Sequence, residues 1–142
     1  MKTFLKYYTE NKLEAFKQFA GAYMVKKRFD AKPYFSMSVK DIEKLGMDYY
    51  MTEMVVDRYD SLIDLFGEPD FTDEGPGRAK FLEWGIEFND GVKVILSTEV
   101  HDLHYDEENN VIPDSPVIAQ VTGPIGREQE ILERLDHLLN KR

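Results

Sequence analysis

At 142 residues with a net charge of −9, the chain has the length of one domain and an acidic surface. It contains no cysteine, which excludes disulfides and thiolate metal sites and fits a reducing compartment, so the cytoplasm is the expected location. No apolar run approaches the roughly 20 residues of a membrane span, and Met1-Lys2-Thr3-Phe4-Leu5-Lys6 turns polar too soon for a secretory signal; no membrane association is expected.

The charge is unevenly placed. Residues 1–50 carry ten Lys/Arg against six Asp/Glu, whereas residues 51–142 carry eight against twenty-one. A basic N-terminal segment lying on an acidic body, its own or a neighbour's, is the simplest expectation. The acidic body repels phosphate backbones and argues against nucleic-acid binding, while leaving open that it imitates one, as a DNA mimic does.

Phe4, Leu5, Tyr8, Leu13, Phe16, Phe19, Ala20 and Tyr23 recur at three- and four-residue steps, which predicts a helical N-terminal extension. An aromatic stripe of this kind belongs to a core or to a subunit interface, and a homo-oligomer is expected on that ground. Lys26-Lys27-Arg28 is read as the basic end of that helix, complementing its dipole. Ser38, with Asp41 three residues on and Gly46 as a stop, brackets a short helix. Met51–Val56 predicts a strand, and Asp57 is the expected cap of a helix whose apolar face is Tyr59, Leu62, Ile63 and Phe66, closed by Gly67 and Pro69. Residues 70–78 are expected to be a mobile turn. Glycines at 75 and 77 would let backbone amides approach a ligand, yet no Gly-Lys-Ser/Thr follows, so this is not a phosphate-binding P-loop.

The centre of the chain is a predicted hairpin. Leu82, Trp84, Ile86 and Phe88 alternate with Glu83, Gly85 and Glu87, which predicts a strand with one buried and one wet face. A two-residue Asp90-Gly91 loop would put the apolar rows of the two strands on opposite faces. A three-residue loop with Gly91 left-handed instead pairs Phe88 with Val92, Ile86 with Val94 and Trp84 with Leu96, which predicts a type I turn with a bulge. Val117, Ala119 and Val121 predict a third strand. Ile131, Leu132, Leu135, Leu138 and Leu139 predict a C-terminal helix, with His137 off the stripe and exposed.

These elements predict an α+β fold. A small antiparallel meander spans residues 80–121, joined by 51–56, with helices 58–66 and 127–140 over one face. The expected division is a helical extension at 1–50 and an α+β core at 51–142. Two sets of residues invite a site. Arg78, Lys80, Gly123, Gly126 and Arg127 would form an anion cradle if both glycine loops met at one end of the sheet. His101 and His104 lie in an acidic stretch, but on a strand they point to opposite faces, so a solvated β-excursion is favoured over a metal site, which with the nearby carboxylates would make the chain a metal-dependent hydrolase. No catalytic set is legible and no cofactor is implied.

Leu65-Phe66-Gly67-Glu68-Pro69, Glu83-Trp84-Gly85-Ile86-Glu87-Phe88 and Asp90-Gly91 together resemble a set of small phage-encoded α+β proteins. In these a helix ending in Phe-Gly-x-Pro precedes a Glu-Trp-x-Ile strand, a hairpin and a strand-Gly-helix ending. Some Thoeris anti-defence proteins, which sequester cyclic ADP-ribose signals, are similar in this pattern. The resemblance spans about residues 54–139. It implies a non-catalytic accessory protein that neutralises a host defence factor, its partner being a host protein or a small nucleotide signal. The final strand departs from the pattern, with Ala119-Gln120-Val121-Thr122-Gly123 where Trp precedes Gly-Gly. A second departure is Ile95 or Leu96 where Tyr is usual, so no ligand pocket is carried over.

Overall fold

A computed structural model describes residues 25–30, 37–47, 52–72 and 80–140. The elements in chain order are β1 (Val25–Phe29), α1 (Val39–Leu45), β2 (Thr52–Val56), α2 (Tyr59–Phe66), β3 (Asp70–Thr72), β4 (Phe81–Phe88), β5 (Lys93–Glu99), β6 (Val117–Thr122) and α3 (Glu128–Leu139). The fold is α+β. Its antiparallel sheet runs β1-β4-β5-β6-β2, and β3 pairs with the first part of β4 on the side where β1 pairs with the last.

The hairpin forms with the expected register. Trp84 faces Leu96 and Ile86 faces Val94. The Phe88 amide donates to the Val92 carbonyl at 2.8 Å, the Gly91 amide donates to the Phe88 carbonyl at 2.9 Å, and Gly91 takes φ 91. That left-handed residue adds the third loop position, so both apolar rows share a face. On this face Trp84, Ile86, Phe88, Val94 and Leu96 pack under Leu62 and Phe66 of α2 and Ile131, Leu135 and Leu139 of α3. The indole is wholly buried, and its N–H donates to the Gly67 carbonyl at 2.9 Å, so its one polar atom is satisfied where the chain leaves α2.

The opposite face departs from expectation. Glu83 and Glu87 were expected to be wet, but Glu83 is 0% and Glu87 9% exposed. At Ile95 on the same face, cover comes from elements remote in sequence. Ile42 of α1 and Met47 pack on Ile95, with Phe29, Met37 and Leu45 around them, so α1 lies on the side away from α2 and α3. The helix itself is bounded as predicted: Ser38 accepts from the Asp41 amide, Asp41 accepts from the Ser38 amide, and Gly46 is left-handed.

Other expectations are corrected. Lys26-Lys27-Arg28 lies in strand β1, not at a helix end, and residues 25–29 therefore belong to the sheet. Arg28 donates to the carbonyls of Phe66 at 2.8 Å and Glu68 at 2.7 Å, satisfying the end of α2. Within the supposed turn at 70–78, Asp70–Thr72 forms strand β3, and 73–79 lies outside the described residues, as does the N-terminal helix expected over 1–24. Arg58, not Asp57, is the N-cap of α2, and it makes no side-chain cap bond. The Asp57 amide instead donates to the Asn140 side chain at 2.8 Å. His137 is half-buried.

Gly85 is a close-packing position. A Cβ there would stand 2.5 Å from the Phe29 carbonyl oxygen and 2.8 Å from its ring, because β1 crosses β4 tightly at this point. Gly85→Ala is therefore expected to destabilise the protein by about 1–3 kcal/mol through forced separation of β1 from β4. Urea unfolding measures this, and a change within error would contradict the packing.

Candidate functional site

The residues proposed as an anion cradle do not assemble among those described. Lys80 sits at the far end of the hairpin, where the Val100 amide donates to its carbonyl at 2.8 Å. Gly123 lies by Lys93 and Val94 at the near end. Six residues of β5 separate the two levels, about 20 Å at the usual strand rise. Arg78 lies outside the described residues. Gly126 is left-handed at φ 78 in the turn into α3. Arg127 is turned onto Glu130, donating at 3.0 and 2.9 Å.

That pair belongs to a network the sequence did not disclose. The Arg134 side chain, 1% exposed, donates to Asp90 in the hairpin loop at 2.8 Å and to Glu130 at 2.8 Å. Its guanidinium lies 5.0 Å from the Phe88 ring centroid. Burial alone would raise the Glu130 carboxyl, but the hydrogen bonds from Arg127 and Arg134 hold it below the usual carboxylate range. The network locks α3 to the loop that sets the hairpin register, which is a structural role. Arg134→Ala is expected to cost several-fold more stability than Arg127→Ala. The first strips a buried cation from two carboxylates, whereas the second removes a half-exposed pair worth about 0–1 kcal/mol. Equal midpoints in urea would refute this.

The histidine stretch forms the expected β-excursion, with Tyr105 bridged to Val111 around a tight turn in which Asn109 is left-handed. His101 lies in a 3-10 turn, its Nδ1 2.9 Å from Glu99 and its Nε2 3.3 Å from Asp102. Glu99, His101 and Asp102 are close enough together to ligate one ion, and His104 is outside that trio. His101 and Asp102 are exposed, and such acidic surface groups are common without a metal.

A polar row crosses the sheet on the face that also carries Ile95. Consecutive register pairs place Asp70 beside Glu83, Glu83 beside Ser97, Ser97 beside Gln120 and Gln120 beside Glu53. Glu83 is its buried member, and among the described residues neither of its carboxyl oxygens has a hydrogen-bond partner. Burial, with a further contribution from the negative charge of Asp70, pushes its pKa up to about 8, so the group is largely protonated at neutral pH. A raised carboxyl pKa favours the folded state's proton. The Glu83 contribution is neutral to stability below the unfolded value near 4.5, becomes progressively unfavourable as pH rises from there to about 8, and levels off above it. Glu83→Gln keeps the shape without the ionisation, so the variant is expected to gain stability relative to the parent between pH 6 and 9. Thermal midpoints across that range test this, and parallel curves would refute it.

A groove of about 480 Å³ with charged walls lies between β2 and α3. Met54 and Leu132 supply apolar surface, Glu133 and Asp136 of α3 supply carboxylates, and Glu53, Val55 and Asp57 line the margin along β2. It exists because β2 is the last strand of the sheet, so no described strand covers its outer side. Asn140, the residue that ends α3, closes one end: its side chain donates to the Val55 carbonyl at 2.8 Å and accepts from the Asp57 amide at 2.8 Å. A carboxamide thus stands in for a neighbouring strand over that stretch. The acidic total was visible in the sequence, but its gathering along one strand edge was not. No helix among the described residues is long and apolar enough to cross a membrane.

Neither a family model, nor a curated protein, nor a solved structure matches this chain.

Proposed function

We propose that this chain is a non-catalytic binding protein that engages another protein through the acidic groove between β2 and α3. The observation that carries this reading is the pair of carboxylates Glu133 and Asp136 beside the apolar Met54 and Leu132, along an edge strand that itself carries Glu53. Charged walls around an apolar floor suit recognition of a polypeptide, in which side chains supply the apolar contact and opposite charges set orientation. The resemblance of residues 54–139 to small phage-encoded proteins adds that the partner is a host factor and that binding neutralises it. A nucleotide or other phosphate ligand is less favoured, since Lys80 and the 123–127 turn stand at opposite ends of the hairpin and the groove itself is acidic.

Expression of the chain in bacterial strains that each carry one defence system is the functional test. Phage plating efficiency is expected to rise in at least one strain, with a host protein co-eluting stoichiometrically from the tagged chain. Unchanged plating in every strain, or recovery of a small molecule with no protein, would overturn the reading.

A further inference from the structure

We infer that the groove receives an extended segment of the partner, which adds to β2 as a further strand, with lysine or arginine side chains in the groove and small apolar side chains on the other face. This rests on the binding-protein reading above and names the chemistry of what binds.

The argument starts from the backbone. Residues of an antiparallel edge strand direct their N–H and C=O alternately to the inner neighbour and outward. Asn140 reaches the Val55 carbonyl from outside β6, so Val55 points outward, and by alternation so does Glu53. Asn140 occupies the Val55 carbonyl and the Asp57 amide, leaving the Val55 amide and both main-chain groups of Glu53 at an edge that no described strand pairs. Proteins that keep a strand edge free of partners shorten it or place charge upon it. β2 uses both devices, being five residues long and carrying Glu53, so the edge admits a partner of opposite charge and repels a copy of itself.

Side chains of an added strand would alternate between two unlike surfaces. On the side of α3 they enter the groove, where their methylene stems lie on Met54 and Leu132 and their cationic ends reach Glu133 and Asp136. On the other side they meet Val55, 56% exposed, with Glu53 two positions before it on the same face of β2. An alternating cationic and small apolar segment matches both surfaces. A purely cationic ligand matches one, and a helix presents no main-chain groups to the edge.

The probe is a fluorescein-labelled hexapeptide of alternating lysine and valine, measured by anisotropy against the full chain. Its comparator has the same charge, with two prolines that prevent strand addition. The alternating peptide is expected to bind at least ten-fold more tightly than the proline form, and to slow hydrogen exchange at the Val55 amide. Glu133→Lys and Val55→Asp are each expected to weaken it by ten-fold or more, whereas Glu107→Lys, on an exposed turn, leaves it within two-fold. Equal binding of the two peptides would overturn the proposal, because charge alone would then explain the contact. Absence of binding, or equal binding by the groove variants, would overturn it as well. Capture of the host protein by the Glu133→Lys and Val55→Asp chains at the parent level would sink this inference while leaving the binding-protein function standing.

Discussion

The register of the β4–β5 hairpin is the constraint on which the rest of the structure depends. Gly91 at φ 91 supplies the third loop position, and the Phe88–Val92 hydrogen bond closes it. Because side chains alternate, this one backbone conformation sends Trp84, Ile86, Phe88, Val94 and Leu96 to a common side. α2 and α3 then have a surface to cover. Arg134 ties α3 to Asp90 within the same loop, so the element that sets the register is also the element that anchors the helix. The exit of α2 is held in a comparable way, by the Trp84 indole and the Arg28 guanidinium on carbonyls of the Phe66–Glu68 turn.

With one face closed by helices, the second face decides what else the molecule is. It carries a polar row whose central member, Glu83, is sealed beneath other parts of the chain and held protonated by burial. Away from that row, at the β2 and β6 end, the same face exposes Val55 and Ile118. The sheet therefore changes character from a covered side at β4 to an open side at β2. The acidic groove lies against that open margin, and Asn140 sets its limit. Binding chemistry placed at a sheet margin needs no rearrangement of the core, since the hydrogen-bonding groups are already displayed.

The placement of the positively charged residues argues in the same direction. Arg28, Arg127 and Arg134 all point inward or along the surface to carbonyls and carboxylates of the chain itself. The negative groups outnumber them around β2 and α3. With these three arginines committed to the chain itself, the acidic surface of the described residues suits a cationic partner better than a phosphate.

Local chemistry alone determined the hairpin, its bulged turn, the Ser38 cap with its Gly46 stop, and the apolar stripes of α2 and α3. Each depends on residues within a few positions of one another, where spacing encodes geometry directly. The coverage of the second face was not legible. Ile95 was an apolar residue in the row read as wet, a signal that something packs there, but the residues that do, Phe29, Ile42 and Met47, lie roughly fifty or more positions earlier. The strand at 25–29 was read as a helix end because three basic residues suit either, and only pairing with β4 decides. The groove, too, was decided by tertiary structure alone. Glu53 and Glu133 are eighty residues apart, and only the sheet order that leaves β2 outermost, with α3 returning beside it, brings their charges to one margin.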